Sequence, residues 1–234
     1  MLNTNTNKQN VKEPLIGLVL SIIIPSIILI YFKDSTFFSP LNLLLVALFF
    51  PLSNALYELF SAKKISIVSG LGFCSILFTG LVGLLSLDPK WIALKEAFIP
   101  LIIGAIILFS AIRKKPAIGF LIDQLIDSNK FTKLYEDPET KTKFKSIYIK
   151  TTYIVSSSFL LSAILNFILA KIIVTSPAGS SEFNHQLGVL TAMSYPVIVI
   201  PSMIVLSLAF LYLFKQIKII TGLGFTEILK KDFT

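Results

Sequence analysis

Few residues of this chain are equipped for chemistry, and those few sit at the edges of long apolar runs. Trp91, Lys95 and Glu96 form the tightest group. Trp91, Lys95 and Phe98 are spaced i, i+4 and i+7, so they share a face if the turn after Pro89 is helical. An indole settles at the boundary between hydrocarbon and water. An ammonium one turn deeper needs a partner or a route back to water. Glu96, as the adjacent residue, points away from Lys95. The partners open to Lys95 are the last carbonyls of the preceding helix, Asn166, Glu182 or a lipid phosphate; snorkelling into water is the plainer outcome. Asn166 lies inside an apolar run, where an amide needs a hydrogen-bond partner, and Asn184 lies just before the last run.

For catalysis the inventory is poor. The one histidine, His185, has no nucleophile elbow, no HExxH helix and no metal-spaced companions. The one cysteine, Cys74, sits in an apolar run and reads as a packing residue. Glu58, Asp88 and Glu96 all lie at run edges, and no Asp or Glu falls in the middle third of a run. A buried carboxylate is the usual coupling group of ion-driven carriers, so its lack counts against one. The reading is of a non-enzyme without cofactor or metal.

The elements that position these residues must be membrane helices. Hydrophobic residues make up 54% of the chain and charged residues 15%, against roughly a quarter charged in a soluble domain. The mean hydropathy is +0.81. Long uncharged runs in lipid must be helical, because hydrocarbon cannot satisfy backbone polar groups. The net charge of +8 reads as basic loops on one side of a membrane and not as a nucleic-acid surface, since no basic groove or stacking platform accompanies it. The expected fold is all-α, with about six transmembrane helices and a cytoplasmic amphipathic helix. A polar tail, 1–14, is expected to be disordered. Spans one to four occupy 15–112: Leu15 to Phe32, Leu41 to Tyr57, Ile65 to Leu87 and Ala97 to Ile112. A loop follows over 113–150. Spans five and six occupy 151–214, from Thr151 to about Val174 and from Leu187 to Phe214, and a basic tail closes the chain over 215–234. Asp88-Pro89 is expected to stop span three and Asp137-Pro138 to form a turn. Pro196 and Pro201 should bend or break the last span. In the loop, Ile118, Leu121, Ile122, Leu125 and Ile126 fall on one helical face. That helix lies either on the membrane surface or against the bundle.

Charge sets the expected orientation. Lys33, Lys90, Lys95 and Lys171 fall on one side, and the other 17 of the 21 Lys and Arg on the side holding both termini. Basic residues favour the cytoplasm, so both termini and 113–150 are expected there. Two stripes of small or polar residues recur at helical spacing: Ser75, Thr79 and Gly83 in span three, flanked by Gly72 and Gly80, and Ser158, Ser162, Asn166 and Ala170 in span five. Such stripes let helices approach closely; the other reading is the lining of a polar cavity.

In order, the basic turn Lys63-Lys64, Phe78-Thr79-Gly80-Leu81, Lys90-Trp91 with Lys95, Lys114-Lys115-Pro116, Asn166 and Phe183-Asn184 resemble the bacterial intracellular septation protein A family, the inner-membrane-spanning YciB proteins, and their six-span relatives without assigned activity. The chain departs from that pattern in a longer loop over Ile126 to Ile149, and in His185-Gln186, which stand where the family has a basic residue. The resemblance implies a bacterial inner-membrane protein with a role in division, elongation or envelope integrity, acting through membrane lipids and other envelope or division membrane proteins. The alternative is a small-molecule or lipid transporter whose cavity opens near Lys95, Glu96 and Asn166. Prolines early in two returning spans, Pro100 and Pro196, give a faint repeat of the kind carriers have. Oligomeric state has no signal in the sequence.

Overall fold

The computed structural model describes residues 17, 19–61, 67–125, 137–224 and 227. The 1–14 tail, the Lys63-Lys64 turn, the charged stretch from Ile126 to 136 and most of the 215–234 tail beyond Gly224 lie outside the described residues. Among those described, every regular element is helical. A π-helical turn, Val19–Ile23, leads into α1, Ile24–Tyr31. Then come α2, Pro40–Ser61; α3, Ile67–Leu84; α4, Lys90–Ile112; α5, Ala117–Leu125; α6, Pro138–Ile173; α7, Ser181–Ser194; and, after a π-helical turn Tyr195–Val199, α8, Ile200–Thr221. Among the described residues, four continuous helices are long and apolar enough to cross a membrane: Pro40–Tyr57, Lys90–Ile112, Pro138–Ile173 and Ser181–Thr221. The apolar helices Val19–Tyr31 and Phe73–Leu84 are shorter. This fits a helical membrane protein.

Several boundaries differ from those read in the sequence, for reasons of capping. α3 ends at Leu84, before Asp88-Pro89. Its end is closed by Leu87 N donating to Val82 O at 3.0 Å and Ser86 N to Gly83 O at 3.3 Å, with Ser86 left-handed at φ 49°. Asp88 instead opens α4: Lys90 N donates to Asp88 Oδ1 at 2.9 Å, and Pro89 occupies the first helical position, where its missing N–H costs nothing. Asp137 does the same for α6, accepting from Thr140 N at 2.8 Å and from Thr140 Oγ1 at 2.6 Å. What the sequence suggested as a loop up to Lys150 is therefore helix from Pro138 onward. The 36 residues of α6 span about 54 Å, well beyond a hydrocarbon core of about 30 Å. Nor is the last span broken. The helix runs from Ser181 to Thr221, and the missing donor of Pro196 is absorbed by the π-helical turn.

The chain divides into two compact units, one of Met1–Lys95 with Ile168–Ser194, the other of Glu96–Phe167 with Tyr195–Thr234. In the first, Leu44, Ala47, Val82, Ile92, Phe183 and Leu187 belong to one buried cluster. The second is built on Ile118, Ile122, Phe144, Ile147, Leu213 and Ile217. That cluster decides the place of the amphipathic helix. Ile118 and Ile122 of α5 are buried against Phe144 and Ile147 of α6 and Leu213 and Ile217 of α8, so α5 packs on its own unit. The side chains of Leu121 and Leu125, and all of Ile126, lie outside the described residues.

Candidate functional site

The first turn of α7 holds the rim of the first unit together. Ser180 caps the helix, its Oγ accepting from Phe183 N at 3.1 Å. The next residues then reach four other parts of the chain. Glu182 Oε2 accepts from Lys33 Nζ at 3.3 Å, after α1. Phe183, fully buried, lies beside Gly83 at the end of α3: a Cβ built on Gly83 would stand 3.8 Å from Phe183 Cε1. Asn184 Nδ2 donates to Pro40 O at 2.5 Å, at the start of α2. Gln186 Oε1 accepts from Thr175 N and Ser176 N, both at 2.9 Å, while its Nε2 donates to Ser176 Oγ at 2.9 Å, just past α6. His185, read in the sequence as a lone loop residue, has Nδ1 3.4 Å from Glu182 Oε1.

Asn184 is 0% exposed, and among the described residues its Oδ1 has no hydrogen-bond partner. A buried amide half-satisfied in this way is costly. It is tolerated here because the other half of the amide closes α7 on α2. Gly188, one turn on, lets α7 cross α1 at close range. A Cβ there would stand 3.0 Å from Leu29 Cβ and 3.1 Å from Ser26 O.

Lys95 also belongs to the first unit. Its Nζ donates to Thr79 Oγ1 at 2.8 Å, and Thr79 Oγ1 donates to Ser75 O at 3.1 Å. The ammonium is thus coupled through a hydroxyl to the α3 backbone, inside the small-residue stripe. Trp91, one turn earlier on α4, is 48% exposed. In the same stripe Gly80 and Gly83 are buried and turned toward α2: an added Cβ would lie 3.3 Å from Leu48 Cδ1 at Gly80 and would overlap Leu44 Cδ2 at Gly83.

Glu96 and Asn166 fall in the second unit. Asn166 Nδ2 donates to Ser162 O at 2.8 Å and to Ser162 Oγ at 3.3 Å, within its own helix. The hydroxyl two turns earlier does reach across: Ser158 Oγ donates to Ser202 O on α8 at 2.6 Å. Ser156, which the stripe reading passed over, donates to Gly104 O on α4 at 2.9 Å. Of the sequence-derived candidates, Trp91, Lys95, Asn184, Ser75, Thr79, Gly80 and Gly83 lie in one unit, and Glu96, Asn166, Ser158 and Ser162 in the other.

Carboxylates outside the apolar helices are tuned by caps. The backbone N–H of Lys90 holds the Asp88 carboxyl below its usual range. The Thr140 hydroxyl, then its N–H, does the same for Asp137. An apolar groove of about 400 Å³ in the first unit runs between Leu45, Leu48 and Phe49 of α2 and Leu77, Gly80 and Leu81 of α3. Among the described residues no group of three or more His, Cys, Asp and Glu could hold a metal ion. Lys33 and Ser156 carried no local signal, since their partners Glu182 and Gly104 are 149 and 52 residues away; Gln186, whose partners are 11 and 10 residues back, was also missed. No family model, curated protein or solved structure matches the chain.

Proposed function

We propose that this is a six-span, non-enzymatic protein of the bacterial cytoplasmic membrane, related to the septation protein A family and acting in envelope maintenance or division. It works by contact with lipids and with other membrane proteins, with both termini in the cytoplasm. The observation that carries this reading is the use made of polar residues on the rim of the first unit. Lys33, Glu182, Asn184 and Gln186 bond to other parts of the same chain, and Lys95 bonds to α3. That is the arrangement of a rigid scaffold presenting a fixed surface. The apolar groove between α2 and α3 suits acyl chains or a partner helix and not a polar solute.

The alternative, a small carrier, has one observation in its favour: the π-helical turn Tyr195–Val199, which contains Pro196 and precedes Pro201. Irregular turns inside spans are common at carrier sites.

Crosslinking in native membranes, with lipids retained through purification, tests the main reading. Recurrent capture of envelope or division membrane proteins is the expected result; uptake of a solute into proteoliposomes with no recurrent partner would favour the carrier. Lys95 is tested by complementation of a deletion strain. Lys95→Ala should abolish complementation with expression and melting intact, whereas Thr79→Val, which removes one acceptor within the chain and keeps the cation, should retain it. Full complementation by Lys95→Ala removes Lys95 from the site.

A further inference from the structure

In the second unit the end of α4 carries three cations on one strained turn. The helix closes with Lys114 N donating to Ala111 O at 2.9 Å and Lys115 N to Ser110 O at 3.0 Å. That closure ordinarily places glycine at its left-handed residue. Here the residue is Lys114, at φ 56°, where an L side chain is strained. The turn is locked from the helix side as well. Ser110 Oγ accepts from Ala117 N at 3.0 Å and donates to Ile107 O at 2.6 Å. A strained, well-fixed backbone that keeps a lysine where glycine would relax it points to a use for the lysine.

Beside this turn, α4, α5 and α6 leave an apolar cleft of about 240 Å³, lined by Ile107, Ala117, Ile118, Phe120, Thr152 and Val155. Its hydroxyl asks for nothing, since Thr152 Oγ1 donates to Tyr148 O at 2.7 Å. Ala117 stands two residues past Lys115, so the cleft begins where the cations end. Phe120 is 70% exposed, and the α4 flank below the turn is exposed and apolar at Ile106, Phe109 and Ile112. Arg113, Lys114 and Lys115 are exposed, with the Arg113 guanidinium 4.7 Å from the Phe109 ring centroid. Lys150 of α6 and Lys215 and Lys218 of α8 add exposed positive charge to the same unit. Opposing them, Asp123 is the acid of the α5 sequence, and Glu139 is paired with Lys143 at 2.7 Å.

We infer that this turn and cleft seat an anionic glycerophospholipid, with its phosphate on Lys114 and Lys115 and part of an acyl chain against Ile107, Phe120 and Val155. Charge selects the headgroup: two adjacent ammonium groups without a local counter-ion in the turn favour a net negative lipid over a zwitterionic one. The apolar walls select a lipid over a free phosphate. The inference needs only that these helices lie in a bilayer, and stands whether or not the proposed envelope role does.

The test is native mass spectrometry of the full chain in detergent, titrated with dioleoyl phosphatidylglycerol or dioleoyl phosphatidylcholine, alongside melting curves. The anionic lipid should bind about 25-fold tighter, from about fivefold for each lysine. Lys114→Gly should raise the melting temperature, by relieving the turn, yet lower the preference about fivefold. Adding Lys115→Gln should remove most of the remainder. Lys218→Gln, on α8 and not among the residues that line the cleft, should leave the preference nearly unchanged, and glycerol 3-phosphate should fail to displace the lipid. Equal binding of the two lipids overturns the inference. So does a loss with Lys218→Gln as large as with Lys114→Gly, which would mean a diffuse basic surface. Displacement by glycerol 3-phosphate would mean a phosphate site without a lipid.

Discussion

Two glycines three residues apart on α3 should respond to the same substitution with opposite sign. At Gly83 a single added methyl would overlap Leu44 Cδ2, and Leu44 is 0% exposed. Leu44 can escape only by leaving its rotamer inside a filled core, and overpacking of this kind costs about 1–3 kcal/mol. Against that, alanine in place of glycine in a helix returns at most about 1 kcal/mol, and less in a last turn such as this one. The expected net for Gly83→Ala is a loss of about 1–2 kcal/mol, or a melting temperature lower by roughly 2–8 °C for a chain of this size. At Gly80 the nearest atom to the new Cβ is Leu48 Cδ1 at 3.3 Å, the far end of a half-buried side chain. A shift of a few tenths of an ångström there leaves the helix-propensity gain in place, so Gly80→Ala should be neutral or stabilising by up to about 1 kcal/mol. Neither site draws on the burial of surface from water, since lipid tails are as apolar as leucine. The difference therefore reads packing alone. Heating the detergent-solubilised variants in steps and measuring the monodisperse fraction gives both melting points. A Gly83→Ala protein as stable as the parent would refute the reasoning, because the α2–α3 contact would then be looser than the geometry demands. Gly83→Leu should be worse than Gly83→Ala, because it also drives a side chain toward Phe183.

Two further outcomes follow from the second unit. Ser156→Ala and Ser158→Ala each remove one inter-helix hydrogen bond, to Gly104 O and Ser202 O, and should each cost about 0.6 kcal/mol in detergent unfolding, the average for such bonds in a membrane helix bundle; their sum should be near additive, since the acceptors lie on different helices. Asp137 caps α6 more strongly while ionised, and its folded carboxyl is held below the ordinary value. The stability it supplies is then fully present above the unfolded carboxylate range and is lost as pH falls through the lowered folded value. The melting-point gap between the parent and Asp137→Asn should be constant from pH 7 to about pH 5 and close only below about pH 4, where the carboxyl protonates; a gap that closes near neutral pH would point to another group.

Which parts of this architecture could be read in advance depends on how local their causes are. The apolar runs, the small-residue stripe on α3 and the face of Ile118 and Ile122 are periodic patterns, visible in a window of a dozen residues. Capping is equally local, yet two of its signals have a second meaning. Asp88-Pro89 reads as the stop of span three, because proline ends a helix that precedes it, and Asp137-Pro138 reads as a turn. Each in fact starts the helix that follows, with the carboxylate accepting an N–H of the first turn. Ser39-Pro40 belongs with them: Ser39 Oγ accepts from Asn42 N at 3.2 Å, at the start of α2. An acceptor followed at once by proline and then by an apolar or charged helical pattern is better read as a beginning. The error at Asp137 mattered most, since it turned the first turns of a 36-residue helix into a loop.

The rim of the first unit was illegible for the opposite reason. Lys33 meets Glu182 across 149 residues, and Asn184 meets Pro40 across 144; no spacing rule reaches so far. Gln186 carries the sharper lesson. In the family resemblance, His185-Gln186 was a departure at a place expected to hold a basic residue. A lysine or arginine has only donors, so it could not accept from Thr175 N and Ser176 N as Gln186 Oε1 does. In this chain Gln186 is instead a clasp on the end of α6. In the function proposed here, recognition on this rim cannot rest on a cation at 186. It falls to Lys95 and to whatever meets the exposed flank of Trp91, which is why the contrast between Lys95→Ala and Thr79→Val is the decisive pair: the first removes the cation, the second one of its acceptors within the chain.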